Sequence, residues 1–297
     1  MNQNRIKNRA EVIKISDWPN LRDLFKPEWP KHIVPYSLMQ NYINWSQKNI
    51  AYVEKNVEIY CLNGNWNDGT FYLVDDSYLF FHTLNEDYSQ LKSLLLLLDN
   101  SRIYRCRCIY SEFLPVLNDV IQALKMYKSY EMSCYLVHLP RQIPLMWENI
   151  EPPEDITFKP LKLEHAKIIS RVYPLRDQSS PQMFERTIKY NISLGAFDTK
   201  TDKLLAWCMQ FQSGEMTALQ VIDDKYRRTG LAAILTAAVG RKVAELGFDL
   251  YGKIDVNNEP PQKFIQKYAL GGIEILGMMY HIGQDVLKIK RHHQKTV

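Results

Sequence analysis

The chain has 297 residues, room for two domains of ordinary size, and its 46% hydrophobic and 24% charged content is that of a folded globular protein. A formal net charge of +4 is too small to imply a nucleic-acid partner by itself. Five cysteines without a C-x-x-C pair indicate neither a disulfide framework nor a zinc site and fit a reducing compartment. The longest pure apolar run, 94–98, is far too short to span a bilayer.

The N-terminus carries Arg5, Lys7 and Arg9 before its first acid, Glu11, and has no apolar core, so a secretory signal is not expected. The expected compartment is the cytoplasm, with a mitochondrial address left open. From Glu11 the pattern predicts a short strand, a segment at 21–25 and a helix over 36–47. Strands follow at 57–62, 69–74 and 78–83, separated by the turn residues Asn63-Gly64 and Asp75-Asp76-Ser77. Next come a Leu-rich helix (88–98), a strand (103–109), a helix (113–128) and a strand (133–139).

Prolines 140, 144, 152 and 153 mark an extended connector, since proline lacks the N–H that helix and sheet require. Beyond it the order repeats. A strand at 157–161, helices at 163–173 and 181–190, and strands at 193–197, 203–211 and 215–222 lead to a long helix over 230–246. A strand at 250–256, a helix at 260–270 and a strand at 273–282 complete the chain. Leu231, Ile234, Leu235, Ala238, Val239 and Leu246 recur at helical spacing and predict a core-facing stripe. The expected architecture is α/β with mixed sheets in two tandem domains: 1–140, a linker at 141–156, and 157–297.

The segment 221–235, Val-Ile-Asp-Asp-Lys-Tyr-Arg-Arg-Thr-Gly-Leu-Ala-Ala-Ile-Leu, carries the most chemistry. A strand feeds a helix through a glycine turn, and the first amides of a helix lack intrahelical partners and sit at the positive end of its dipole. Gly230 and Ala232 leave room for an anion, and Arg227 and Arg228 add charge. No phosphate loop of nucleotide hydrolases and no dinucleotide fingerprint occurs. The spacing R-x-x-G-x-A resembles the pyrophosphate motif of the GNAT superfamily of acyl-CoA N-acyltransferases, [QR]-x-x-G-x-[GA].

The ordered segments around it narrow the resemblance. Trp207, Ser213-Gly-Glu-Met216, 226–231 (Tyr-Arg-Arg-Thr-Gly-Leu), 246–251 (Leu-Gly-Phe-Asp-Leu-Tyr) and 255–263 (Asp-Val-Asn-Asn-Glu-Pro-Pro-Gln-Lys) are similar to five segments of the glycine N-acyltransferase family. The match covers about residues 155–285. The resemblance implies two GNAT folds, the first degenerate, with acyl-CoA as co-substrate; the seven histidines show no metal-ligand spacing, so no metal is expected. The resemblance also implies a small amine or amino acid, glycine-like, as acceptor; the weak net charge and short apolar runs add the expectation of no nucleic-acid and no membrane partner. Oligomeric state stays unknown.

Within that resemblance Glu215 is the general base, and a backbone N–H near Val221 or Ile222 meets the oxyanion. Main-chain donors of Arg227, Arg228, Thr229, Gly230, Leu231 and Ala232 take the pyrophosphate, and Asn258 is a cofactor contact. For Asn257 and Asn258 turn formation is the commoner role, for Cys208 buried packing, and for Arg176 a surface position rather than an acceptor clamp. The tyrosine that many GNAT enzymes use as acid has Ile265 at its place, with Tyr268 one turn on and assigned to packing. Two departures stand out. Asp223 and Asp224 precede the motif, and the interval from Glu215 to Arg227 is one residue longer than in the family, which suggests a bulge in that strand. The alternative reading is a catalytically silent acyl-CoA-binding module. A nucleic-acid role for the basic tail at 288–295 is a distant third.

Overall fold

The computed structural model describes residues 7–148, 151–173, 180–259 and 275–283. The chain divides into two compact units, Met1–Cys134 with Ile275–Val297, and Tyr135–Glu274. The expected helix at 260–270, Arg176 and the tail at 288–295 lie outside the described residues.

In the first unit, β1 (Ala10–Val12) leads through α1 (Trp18–Asp23), α2 (Ile33–Lys48) and α3 (Ile50–Asn56) into β2 (Val57–Leu62), β3 (Phe71–Asp75) and β4 (Tyr78–His82). Then follow α4 (Ser89–Leu95), β5 (Tyr104–Tyr110), α5 (Leu114–Ala123) and β6 (Tyr127–Leu139), which runs on into the second unit. Helix α3 escapes the sequence reading because it is short; the Asn49 side chain caps it by accepting from the Tyr52 amide. Helix α5 stops about a turn earlier than the apolar pattern suggests, and Lys125 just beyond it is left-handed at φ 54°. Strands β1 to β4 pair antiparallel and β4 pairs parallel with β5.

The last strand, β12 (Ile275–Gly283), pairs antiparallel with β5 and belongs to the first unit. Its sequence pattern predicts a strand in the second domain. Pattern specifies that a segment is extended, not which edge it joins.

The second unit contains α6 (Gln142–Met146), β7 (Ile156–Pro160), α7 (His165–Val172), α8 (Pro181–Tyr190), β8 (Ser193–Asp198), β9 (Leu204–Gln210), β10 (Met216–Val221), α9 (Leu231–Glu245) and β11 (Leu250–Asp255). Strand order is β11-β10-β9-β8-β7, antiparallel except for β10 with β11. The proline-rich connector is not extended throughout. Pro144 is buried in α6, and Arg241 of α9 donates to the carbonyls of Leu145 and Trp147. Close approach is built in: a Cβ at Gly240 would lie 2.7 Å from Leu250 and 3.2 Å from Trp147. The core beneath α9 joins Leu231, Leu235, Ala238 and Val239 to Leu194, Ala196, Leu205, Ala206 and Cys208; of the expected stripe Ile234 is only half-buried, and Leu246, the C-cap at the end of the helix, is exposed.

The five cysteines, all among the described residues, are buried and form no disulfide. Burial pushes the Cys208 thiol up to about 12, which agrees with a packing role. Among the described residues no helix is long and apolar enough to cross a membrane, and no group of metal-ligating side chains converges.

A buried histidine pair in the first unit has a measurable consequence. His82 Nε2 lies 3.2 Å from His32 Nδ1, and its ring makes edge contacts with Phe25, Tyr110 and Phe113. Burial drives His82 well below its ordinary value of 6.5 and lowers His32 as well. Both rings therefore bind a proton less readily in the folded protein than in the unfolded chain, which takes up protons around pH 6.5 and below. This contribution to stability is complete above that pH and is lost as pH falls toward the depressed folded values. Denaturant midpoints are expected to fall between pH 7 and 5, with a shallower fall in His82→Phe. Equal slopes in the two proteins would contradict this.

Candidate active site

Alternation along the strands of the second unit gives its sheet two unlike faces. Ala206, Cys208, Met216, Val221 and Leu250 pack into the apolar cores beneath α9. The opposite face carries Trp207, Glu215, Gln220, Tyr251 and Lys253. Here polar groups are buried: Glu215 has no exposed surface, Ser213 is 1% exposed and Gln212 is 2% exposed.

Glu215 ends a tight hairpin between β9 and β10. The Phe211 amide donates to the Glu215 carbonyl at 2.9 Å, the Gly214 amide to the Phe211 carbonyl at 2.8 Å, and Gln210 Nε2 to the Gly214 carbonyl at 3.0 Å. The Tyr251 hydroxyl donates to the Ser213 carbonyl. The hairpin needs a left-handed residue, and Gly214 supplies φ 92°. Lys253 Nζ lies 3.0 Å from Glu215 Oε1, with side-chain exposures of 7% and 0%. The sequence reading missed Lys253. Its signal was the one cation of strand β11, and only the parallel register of β11 on β10 shows what it meets.

The expected bulge is present. Met216 pairs with Gln210 and Thr217 with Met209, but Gln220 pairs with Trp207 and Val221 with Ala206, so two residues oppose Cys208. Ala218 within it has φ 54°. On its other edge β10 shares a single register pair with β11, Met216 with Gly252. A Cβ at Gly252 would lie 3.1 Å from the Met216 carbonyl oxygen, so a glycine is what lets the strands meet there. Past that point they part. Strand β10 is only half-buried although strands flank it on both sides, and Leu219 is 41% exposed. The Ile222 amide donates to the Leu205 carbonyl at 2.9 Å and so faces β9. Val221, the preceding residue, then turns its amide toward the parted side.

The turn after β10 resolves the question of the two aspartates. Asp223 pairs with Lys203 at 2.9 Å and caps the Lys225 amide; these contacts hold its carboxyl below the usual range, the Lys203 hydrogen bond most of all. Asp224 pairs with Arg227 at 2.7 Å, and Arg227 Nε also donates to the Val221 carbonyl. Lys225 and the Tyr226 hydroxyl both reach Asp155, at 3.1 and 2.7 Å. Thr229 Oγ1 donates to the Tyr226 carbonyl, so its side chain turns back into the loop. Arg228 is left-handed at φ 64° and exposed.

Gly230 is the N-cap of α9 with φ 92°, no side chain caps the helix, and a Cβ there would meet nothing within 4 Å. Among the described residues no side chain caps the first amides of α9, and the space at Gly230 just before them is open. Asn257 and Asn258 form the turn closing β11, their amides donating to Asp255, as turn chemistry predicts. Trp207 Nε1, Ser213 Oγ and Gln220 Oε1 are buried without a hydrogen-bond partner among the described residues, while Gln220 Nε2 donates to the Val172 carbonyl at the end of α7. Ile265 and Tyr268 lie outside the described residues.

Comparison with known proteins follows this geometry. A family model described as FR47-like protein matches residues 193–279. No curated protein matches the sequence. Among solved structures, a Drosophila protein is 18% identical, with a TM-score of 0.82 over 92% of this chain and 97% of its own. A tandem GNAT protein from the clavulanic acid biosynthesis pathway is 11% identical, with a TM-score of 0.57 over 92% and 98%. A putative acetyltransferase from Pyrococcus horikoshii is 10% identical, with a TM-score of 0.54 over 94% and 90%. The fold is the tandem GNAT fold.

The buried ion pair predicts a specific pattern of unfolding energies. Lys253→Met leaves the Glu215 charge buried and should cost about 3 kcal/mol or more, since breaking one side of a buried pair exposes the full desolvation penalty. Combining it with Glu215→Leu should cost clearly less than the two single changes together. Additive losses in urea unfolding would contradict the pairing.

Proposed function

We propose that the second unit binds an acyl-CoA and transfers its acyl group to the nitrogen of a small amine, an amino acid of the glycine type by the sequence resemblance. The observation that carries this reading is the parting of β10 from β11 beside an uncapped helix N-terminus. A thioester arm can lie along the freed edge of β10 while its diphosphate meets the amides from Arg227 through Ala232. Arg227 stands at the join of these two features through Val221. The paired aspartates carry less repulsion toward a diphosphate than free ones would.

In the transfer the amine nitrogen attacks the thioester carbonyl, the C–N bond forms and the C–S bond breaks. Glu215 takes the proton the nitrogen must lose, directly or through water, and the leaving thiolate departs as CoA. The Val221 amide is the better oxyanion donor of the two expected, because that of Ile222 is committed to β9. The unpartnered Trp207 Nε1, Gln220 Oε1 and Ser213 Oγ support a polar acceptor on the same face, since buried polar atoms call for partners.

Among its described residues the first unit supports no second site of this kind. Strand β4 pairs with β3 in unbroken register and is buried along its whole length. Asp87 there accepts from the Ser89 amide at the start of α4, placing a carboxylate where an anion would bind.

The Glu215–Lys253 contact favours one second reading, a silent acyl-CoA-binding module whose carboxylate is engaged in an ion pair rather than in catalysis. CoA release from several acyl-CoAs with a panel of amines and amino acids separates the two. An enzyme shows turnover that falls by about 100-fold or more in Glu215→Gln, the low end of what general base catalysis contributes. Equal turnover in the two proteins refutes Glu215 as base, and binding without turnover favours the silent module. Ala232→Glu, which sets a carboxylate in the first turn of α9, should weaken CoA binding by about tenfold or more while the fold is kept. Unchanged affinity by calorimetry would remove the diphosphate from that position.

A further inference from the structure

The extra residue in β10 does more than free an edge. In an unbulged ladder Leu219 would oppose Trp207, and Gln220 would oppose Ala206 among the side chains packed beneath α9. With the bulge Gln220 opposes Trp207 instead, because a shift of one residue moves a side chain to the other face. Residues directly opposite each other on one face have their Cβ atoms about 5 Å apart. The indole and the carboxamide are therefore neighbours on the face away from α9.

Their polar atoms are complementary and unused. Trp207 has no exposed surface, and its Nε1, a donor only, has no partner among the described residues. Gln220 Nε2 donates to the Val172 carbonyl at 3.1 Å. That bond fixes the amide, since a carbonyl only accepts, and leaves Gln220 Oε1 as the atom without a partner among the described residues. One buried donor and one buried acceptor thus share a face and do not bond each other. A group placed between them has to accept from the indole and donate to the amide oxygen. A carboxylate has no proton for Oε1 and an ammonium has no lone pair for Nε1, whereas a hydroxyl or a primary carboxamide serves both. The surface is near: Gln220 is half-buried, and Val172 and Leu219 beside it are each 41% exposed.

We propose that Gln220 and Trp207 form a specificity-determining subsite for the acceptor, taking an uncharged group that both donates and accepts, a hydroxyl or a primary carboxamide. Gln220 directly precedes Val221, whose amide is proposed for the oxyanion, so the subsite lies on the strand that carries the thioester. Acceptors of this class are amino alcohols and amino-acid amides. The inference rests on the acyltransferase reading and narrows its acceptor.

In the test kcat/KM is measured with one acyl-CoA for glycinamide, ethanolamine and ethylamine, in the wild-type chain, Gln220→Met and Trp207→Phe. CoA affinity by calorimetry reports folding of each. Ethylamine lacks the second polar group, and the intrinsic reactivities of the amines cancel when ratios are compared between variants. The ratio of glycinamide or of ethanolamine to ethylamine is expected to fall by about tenfold in Gln220→Met, since a buried polar group left unpaired costs about that factor. Whichever ratio falls names the group. Trp207→Phe, which keeps a ring and removes the donor, is expected to lower the same ratio. Should Trp207→Phe fail to fold, Gln220→Met, at a half-buried position, decides alone. Equal losses for all three amines in Gln220→Met assign Gln220 only to holding the end of α7 and overturn the subsite. Ratios and turnover both unchanged overturn it too, the pair then holding water. The acyltransferase reading survives either result. No turnover by the wild-type chain with any acceptor overturns that reading and the subsite with it.

Discussion

Strands β10 and β11 meet at one register pair, Met216 with Gly252, and the extra residue in β10 directs the chain away from any second one. That constraint creates most of the geometry on which the proposed site in the second unit depends. It frees one edge of β10, places the next turn at the end of that edge, and brings Glu215 and Lys253 together at the fork. The turn then delivers the chain into α9 through a left-handed Gly230 with open space around it. A strand pair that closed fully would leave no groove, and its carboxylate would sit in a sealed ladder.

The two units show the same idea with and without the opening. Both place a parallel pair beside an antiparallel one, β4 with β5 and β10 with β11. In the first unit the ladder of β3 and β4 has no shift, β4 is wholly buried, and the Asp87 carboxylate accepts from the Ser89 amide at the start of the adjoining helix. In the second the ladder is bulged, the strand is half-buried, and the helix is uncapped. One inserted residue and one glycine account for much of the difference.

The sequence made the strand, turn and helix of 215–246 legible because each has a local cause: apolar runs, a charged turn, and a glycine before an alanine-rich stripe. It also suggested the bulge, through the added residue before Arg227. Pairings between distant residues were not legible. Asp223 with Lys203, Asp155 with Lys225 and Tyr226, and Glu215 with Lys253 each depend on register between strands, which no periodicity specifies. The same limit hid the pairing of β12 with β5. The proline connector misled in a different way: Pro144 lies inside a short helix held by Arg241, so proline there marks a tight start rather than an extended run.

The most direct measurement is a crystal structure of the protein with acetyl-CoA. The account predicts the diphosphate on the amides from Arg227 to Ala232, the pantetheine arm along the free edge of β10, and the thioester beside the Val221 amide on the side of Glu215. Acetyl-CoA bound elsewhere, or with its thioester remote from Glu215, would contradict it.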